Sequence, residues 1–189
     1  MVTKMKLFAI LAILAAIALA GCASQKKDEG FANFQSAEQT IPQVELEALE
    51  KEAAIKRFED FFGDITAENV HSKAQGLFAP DVYFNDTLKT LHGRDSVKAY
   101  FLKTTEHADF VRAKVVDVAQ SGGNYYVRWV MDVKFKGSKE TSRTIGVTLL
   151  RFDREGRVTL HQDFWDSASG FYEHLPVLGG VMRWIKSKI

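Results

Sequence analysis

This sequence has little cysteine and almost no net charge. Cys22 is the only cysteine, so no disulfide can form within the chain. The formal net charge at pH 7 is +1, which does not provide the basic surface that nucleic acid requires, and we expect no nucleic-acid partner. The sequence also lacks phosphate-loop, dinucleotide-binding and zinc-ligand motifs, and its five histidines are scattered. We therefore expect no metal and no cofactor.

The composition is that of a globular protein rich in aromatic residues: 46% of residues are hydrophobic, 26% charged and 12% aromatic. A chain of 189 residues has room for one domain of roughly 130 to 150 residues, which is enough for a hydrophobic core. We place that domain at residues 43–166, between a targeting segment and a C-terminal tail.

The N-terminus has the pattern of a targeting segment. Two lysines precede an apolar run, Leu7–Ala20, which is too short to span a bilayer and has the length of a signal-peptide core. The run leads into Leu19-Ala20-Gly21-Cys22, which resembles the bacterial lipobox, whose cysteine is lipidated and becomes the first mature residue. We predict a signal peptide over residues 1–21 and a membrane anchor on Cys22. The alternative is a cysteine that follows an ordinary cleavage site by chance.

Residues 22–42 predict a flexible tether between the lipid and the domain, because this stretch is polar and has few apolar residues. Ala23 is a non-acidic residue directly after the cysteine, which resembles the sorting pattern of outer-membrane lipoproteins. The predicted location is the bacterial cell envelope, with the protein lipid-anchored in the outer membrane and facing the periplasm.

Helical periodicity fills the first half of the domain and strand periodicity the second. We predict helices over Val44–Ile65, from Thr66 to about Phe78 and over Val97–Thr105, with a short strand, Asp81–Asp86, and a loop, 87–92, before the third helix. Strands follow over Phe110–Ala119, Tyr125–Phe135, Thr141–Phe152 and Val158–Asp166. Short turns join these four strands into an antiparallel meander. The predicted fold class is α+β: a cone-shaped, curved antiparallel sheet with the N-terminal helices packed on its concave face.

Residues 167–189 form a C-terminal tail of amphipathic helical character. A short helix is predicted over Val181–Ile189, where apolar residues alternate with Arg183, Lys186 and Lys188. This helix could lie on a membrane surface, or it could pack on the mouth of the sheet with solvated lysines. We favour packing, because the apolar face is small.

The last strand places polar and aromatic side chains on one face. Side chains alternate between the faces of a strand, so His161, Asp163 and Trp165 point the same way. Asp132 is a second carboxylate in a strand of otherwise apolar pattern, where a charge is costly unless it is partnered. If both carboxylates face a closed cavity, one should have a raised pKa and act as a general acid or base. The alternative is that Asp132 pairs with a basic neighbour such as Arg128 on a solvated face.

Three segments resemble a known family: Leu77–Asp86 (LFAPDVYFND), Gly93–Val97 (GRDSV) and His161–Asp166 (HQDFWD). Together with the order of helices and strands, they resemble the nuclear transport factor 2-like family, also called SnoaL-like or ketosteroid-isomerase-like. The resemblance covers roughly Ala54 to Asp166 and implies a cone fold with an internal cavity. It does not by itself imply an activity, because this fold carries many functions.

Ketosteroid isomerases provide one comparison within the family. Their catalytic base lies at the end of the short strand, at a position that resembles Asp86 here, with Phe84 also pointing inward. Their oxyanion-hole positions resemble Phe58 and Thr148, which are not the donors that the isomerase uses. The resemblance therefore implies a possible base without the rest of the isomerase site.

Limonene-type epoxide hydrolases provide the other comparison. Asp132 and Asp163 match the two aspartates of that enzyme, and Arg128 lies two residues from the arginine position. Its tyrosine and asparagine resemble Tyr83 and Asn85 only if the short strand shifts its register by one residue, which would reverse the two faces.

These comparisons define the candidate site and the possible functions. The candidate catalytic residues are Asp163, Asp132 and Asp86, and the candidate ligand-binding residues are Tyr83, Asn85, Arg128, His161, Trp129 and Trp165. We favour a membrane-tethered domain that binds a small, mostly apolar molecule, because the chain is rich in aromatic residues and matches neither enzyme completely. One alternative is an acid/base enzyme of isomerase or epoxide-hydrolase type. The other is a homodimer or envelope interaction module with an outer sheet face made of Trp129, Met131, Val133 and Phe135.

Overall fold

The computed structural model describes residues 29–175 and 177–188. The chain divides into two compact units, Met1–Gln35 and Ser36–Ile189. The predicted signal peptide, Cys22 and the first part of the predicted tether lie outside the described residues, and the cone domain belongs to the second unit. Within the described ranges, no helix is both long enough and apolar enough to cross a membrane.

Six α-helices and six strands make up the described part of the chain. The helices are α1 Glu29–Thr40, α2 Ala48–Phe62, α3 Ala67–Leu77, α4 Arg94–His107, α5 Ser167–Gly170 and α6 Leu178–Lys186. A 3-10 turn, Tyr172–His174, lies between α5 and α6. The strands are β1 Phe78–Asn85, β2 Thr90–His92, β3 Ala108–Ser121, β4 Asn124–Phe135, β5 Ser142–Phe152 and β6 Val158–Trp165.

The strands form one curved, mixed sheet in the order β2-β1-β6-β5-β4-β3. β3 to β6 pair antiparallel with their neighbours in sequence, which confirms the predicted meander. β1 lies beside β6 and runs parallel to it, so the sheet is not purely antiparallel as predicted. β2 was predicted to be a loop but pairs with β1. Its three residues are too few to show a period-two pattern.

Local sequence determines where the helices begin. The Oγ1 atom of Thr66 accepts a hydrogen bond from the Asn69 N–H at 3.1 Å, which caps α3 and agrees with the predicted start of this helix. α4 begins at Arg94, three residues before the predicted start. The reason is Gly93, whose φ of 81° turns the chain into the helix and favours glycine. α2 begins four residues later than predicted.

Helices α2 and α4 pack on the concave side of the sheet, as predicted, and their contacts are largely aromatic. Phe61 is fully buried and meets Phe78 and Phe101 edge to face, with ring centroids 5.4 and 5.3 Å apart. Aromatic pairs of this kind contribute about 0.5–1.5 kcal/mol each beyond the area they bury. This cluster belongs to the hydrophobic core of the domain.

Part of the predicted flexible tether is ordered as helix α1, so that prediction is wrong for residues 29–40. The reason lies in β5, where the guanidinium of Arg151 is almost completely buried. Its Nη1 donates to the carbonyl oxygens of Glu38 and Ile41 at 2.7 and 2.6 Å, and its Nε donates to Asn124 Oδ1 at 2.7 Å. The C-terminal end of α1 supplies the acceptors that this buried cation needs.

The tail begins with α5 and the 3-10 turn, and α6 packs against that turn. The approach is close because Gly179 has no side chain: a Cβ there would lie 2.0 Å from the carbonyl oxygen of Glu173. The prediction that the apolar face of α6 packs on the domain is wrong. Val181 and Trp184 on that face are 47% and 63% exposed.

Candidate functional site

A cavity of about 500 Å³ opens between the helices and the concave face of the sheet. Its wall is mainly apolar and aromatic. Apolar and aromatic side chains in the lining include Phe58, Phe62, Phe84, Phe101, Ala113, Trp129, Met131, Val133, Phe135, Trp165 and Phe171. Polar groups in the lining include Asp86, Tyr100, Thr148, His161 and Asp163. Three of the predicted site residues on β6, namely His161, Asp163 and Trp165, therefore do share an inward face.

Asp163 is held by a chain of hydrogen bonds across three strands. β5 places Thr148 directly opposite Asp163 on β6. The Thr148 hydroxyl donates to Asp163 Oδ1 at 2.5 Å and accepts a hydrogen bond from Trp129 Nε1 at 2.7 Å. The indole reaches across because Gly146 leaves space, since a Cβ there would lie 2.4 Å from the Trp129 ring. The carboxylate of Asp163 is thus fixed in position at the cavity wall.

His161 is almost completely buried, with a side chain that is 1% exposed. The imidazole stacks on Phe84 and Phe62 at centroid distances of 4.4 and 5.5 Å. Its Nε2 is 3.0 Å from Asp163 Oδ1, but the direction is poor for an N–H donor, and neither ring nitrogen has a hydrogen-bond partner in the described ranges. The ring therefore keeps unused hydrogen-bonding capacity next to Asp163.

Asp86 is the second carboxyl group of the cavity. The Tyr100 hydroxyl donates to its Oδ2, and the backbone N–H groups of Leu88 and Lys89 donate to its Oδ1 at 3.0 and 2.8 Å. Burial raises the pKa of Asp86 above its ordinary value, and the negative charge of Asp163 raises it further, whereas the hydrogen bond from Tyr100 opposes the rise. Burial and the neighbouring Asp86 also raise the pKa of Tyr100, which stays a hydrogen-bond donor.

The short strand keeps the unshifted register, so two candidate ligand-binding residues lie outside the cavity. Phe84 lines the cavity, as does Asp86 just after the strand, while Tyr83 and Asn85 are buried on the opposite face. There the Tyr83 hydroxyl donates to Gln162 Oε1 at 3.3 Å. The Asn85 side chain donates to Thr90 Oγ1 at 2.8 Å. It also accepts a hydrogen bond from the backbone N–H of Thr87 in the turn that follows β1. These two side chains tie β1 to its neighbours instead of contacting a ligand.

Asp132 and Arg128 also point away from the cavity. Asp132 forms a bidentate ion pair with Arg143 on the next strand, at 2.7 and 2.8 Å, and this hydrogen bonding holds the pKa of Asp132 below its ordinary value. Arg128 Nη2 lies 3.9 Å from Asp117 Oδ2. The predicted pairing of Asp132 with Asp163 is therefore not formed, and the solvated-face alternative is correct, although the partner is Arg143 rather than Arg128.

The face of β4 that was predicted to be its outer surface points into the cavity instead. Residues Trp129, Met131, Val133 and Phe135 all line the cavity. Trp129 thus forms part of the cavity wall, and these four side chains are not available for a dimer contact. The sequence showed correctly that they share a face, but it did not show which face the helices cover.

Two functional side chains were not singled out as site residues from the sequence. Tyr100 is a half-buried residue of α4, and an aromatic residue in an amphipathic helix ordinarily indicates packing alone. Thr148 was noted as a position that lacks an isomerase donor, yet its hydroxyl connects Trp129 to Asp163. A glycine inside a strand, Gly146, is the one sequence signal that could have drawn attention to this region.

Comparisons with known proteins agree with this architecture. A family model described as a SnoaL-like domain matches residues 55–161. A hypothetical protein from Catenulispora acidiphila with a ketosteroid isomerase-like fold, solved in complex with trimethylamine, has a TM-score of 0.55 and 19% sequence identity over 62% of this chain and 88% of that chain. An epoxide hydrolase from Mycobacterium tuberculosis has a TM-score of 0.54 and 16% identity over 67% and 86%.

An NTF2-like protein of unknown function from Burkholderia pseudomallei has a TM-score of 0.53 and 21% identity over 63% of this chain and 92% of that chain. No curated protein matches the sequence significantly. At these identities the solved structures share the fold, and the activities of those proteins do not carry over to this chain.

Proposed function

The chain belongs to the SnoaL-like domain family, and within that fold we propose that its cavity binds a small, mostly apolar molecule with one polar end. The observation that carries the proposal is the division of the lining: aromatic and aliphatic side chains form most of the wall, while Asp86, His161 and Asp163 form a polar patch. A volume of about 500 Å³ suits a small-molecule site. A small number of polar groups in a mainly apolar cavity fixes the orientation of a ligand.

The polar patch indicates which end group the ligand carries. Asp163 already accepts a hydrogen bond from Thr148. It can accept further hydrogen bonds from a ligand, because a carboxylate accepts several. The ring nitrogens of His161 have no hydrogen-bond partner in the described part of the chain. A hydroxyl or amide group of the ligand would satisfy these buried polar atoms, whereas a hydrocarbon end would leave them unpaired.

A fluorescent apolar probe such as Nile red tests the binding proposal. Ala113 lines the cavity, so Ala113→Phe should fill part of it and weaken probe binding at least tenfold. Val116 lies on the same strand and is 48% exposed, which makes Val116→Phe the matched control with unchanged binding. Equal affinities for the two variants, or no binding by the wild type, would contradict the proposal.

A second candidate function is acid/base catalysis, and the observation that favours it is Asp86. Its carboxyl has a raised pKa and lies in the cavity beside Tyr100, which is how a general acid or base is commonly set up. An isomerase of the ketosteroid type is less well supported, since Phe58 offers no donor and the Thr148 hydroxyl is already bonded to Asp163. Turnover of a panel of carbonyl compounds and epoxides should fall at least a hundredfold in Asp86→Asn if this function is real, and unchanged turnover would exclude it.

We further propose that the domain is tethered to the bacterial envelope through lipidated Cys22. The lipobox-like sequence supports this location, together with the apolar run before it. Cells fed a clickable palmitate analogue should label the wild-type chain and not Cys22→Ser. Equal labelling of both forms would rule out this site of lipidation.

A further inference from the structure

Helix α6 presents a row of uncovered apolar side chains. Val181, Trp184 and Ile185 are 47%, 63% and 44% exposed, and Val177 and Leu178 at the start of the helix are 87% and 39% exposed. Their spacing of three to four residues places them along one side of the helix. Single exposed apolar residues are ordinary, but a contiguous row that includes a tryptophan indicates a surface that contacts something else.

Basic residues outnumber acidic ones in the tail that contains α6. From Ser167 to the end of the chain, Arg183, Lys186 and Lys188 are opposed only by Glu173. Lys186 pairs with Glu173 at 2.5 Å, and Arg183 donates to the Glu173 carbonyl oxygen at 3.0 Å. These contacts fasten the polar side of α6 to the 3-10 turn, so the helix is held in place while its apolar side faces outward.

We infer that α6 docks on an anionic lipid bilayer, with its apolar side in the headgroup region and the exposed Lys188 at the end of the helix beside the lipid phosphates. Apolar side chains with an interfacial tryptophan on one side and cations on the other match the chemistry of that surface. A second copy of the chain fits less well, because a two-fold contact through α6 would bring like charges together. The inference depends on the surface of α6 and not on the function of the cavity.

Docking would have a consequence for the cavity. The 3-10 turn on which α6 packs contributes Tyr172 to the cavity lining, and the exposed Lys89 and Lys103 line the same cavity. A docked α6 would therefore hold this side of the domain near the bilayer. α6 would supply an attachment to the bilayer in addition to the one proposed at Cys22.

The test uses the emission of Trp184 in the full chain mixed with vesicles that contain brominated lipids. Subtracting the spectrum of Trp184→Phe isolates this tryptophan from Trp129 and Trp165. In phosphatidylcholine vesicles with about a third phosphatidylglycerol, which attract basic segments, the Trp184 emission should shift to the blue and lose at least half its intensity. Pure phosphatidylcholine vesicles should quench it several-fold less.

Two charge variants complete the test. Val181→Glu, on the apolar side of α6, should abolish the quenching, while Val116→Glu, at an equally exposed position on β3, should leave it intact. Circular dichroism melts should show that both variants stay folded. The inference is overturned if Trp184 is not quenched in anionic vesicles, if both variants behave alike, or if Val181→Glu instead converts a dimer of the chain to a monomer. Labelling at Cys22 is measured separately, so failure of the lipid anchor is distinguishable from failure of α6.

Discussion

Thr148→Val tests the hydrogen-bond chain that fixes Asp163. The hydroxyl of Thr148 is fully buried, and it joins Trp129 Nε1 to Asp163 Oδ1. Valine has nearly the same shape but cannot make either bond. Loss of the bond to a charged group costs about 1.5–3 kcal/mol, and loss of the neutral bond about 1 kcal/mol. We therefore expect the free energy of unfolding to fall by about 2–4 kcal/mol.

Urea unfolding followed by circular dichroism measures this change without relying on tryptophan emission, which the substitution itself alters. Thr144→Val is the matched control, because it removes a hydroxyl at a half-buried position of the same strand and should change stability by less than about 0.5 kcal/mol. If both variants lose the same small amount, the Thr148 hydroxyl does not hold Asp163, and the proposed geometry of the polar patch is wrong.

Three further substitutions probe other parts of the structure. Burial raises the pKa of the Asp86 carboxyl in the folded state above its ordinary value of 3.8, so the wild type loses stability as pH rises above 3.8. Asp86→Asn has no carboxyl to ionise, and it should therefore gain stability relative to the wild type over that range. A pH-independent difference in urea unfolding would contradict this. Gly146→Ala should destabilise by about 1–3 kcal/mol through overpacking, since its Cβ would meet the Trp129 ring; a melting temperature equal to the wild type would show that this contact is absent. Asp132→Asn should leave Nile red affinity unchanged, because Asp132 pairs with Arg143 outside the cavity. Weaker binding by this variant would show instead that Asp132 contributes to the binding site.

The sequence predicted the elements well wherever local chemistry determines them. The start of a helix at Thr66 and the period-two strands of the meander were predicted because a capping hydroxyl and an alternating apolar pattern act over a few residues. The same holds for the shared face of His161, Asp163 and Trp165. The family resemblance then gave the cone and its cavity, which the structure confirms.

The errors concern information that alternation does not contain. Alternation shows that Trp129 and Met131 share one face of β4 and that Arg128 and Asp132 share the other, but not which face the helices cover. The partner of Asp132 is Arg143, whose position depends on the register between two strands. A one-residue change of register exchanges the faces completely.

Longer-range contacts also decided the ends of the domain. Residues 29–40 read as a polar tether, yet the end of α1 supplies carbonyl acceptors to Arg151 more than a hundred residues away. No local sequence pattern in residues 29–40 predicts this contact. The tail was predicted to pack because its apolar face is small, but the structure leaves Trp184 exposed.

The most direct test of ligand binding is a methyl NMR titration of the chain labelled with carbon-13 at its methionine methyl groups. The chain has four methionines. Met131 lines the cavity and Met182 lies on α6, so they serve as probe and control once Met131→Leu assigns the signal. Binding of small apolar alcohols or amides in the cavity predicts a saturable shift of the Met131 signal with Met182 unmoved. A Met131 signal that stays in place across the whole panel, or moves only in step with Met182, would contradict binding in the cavity.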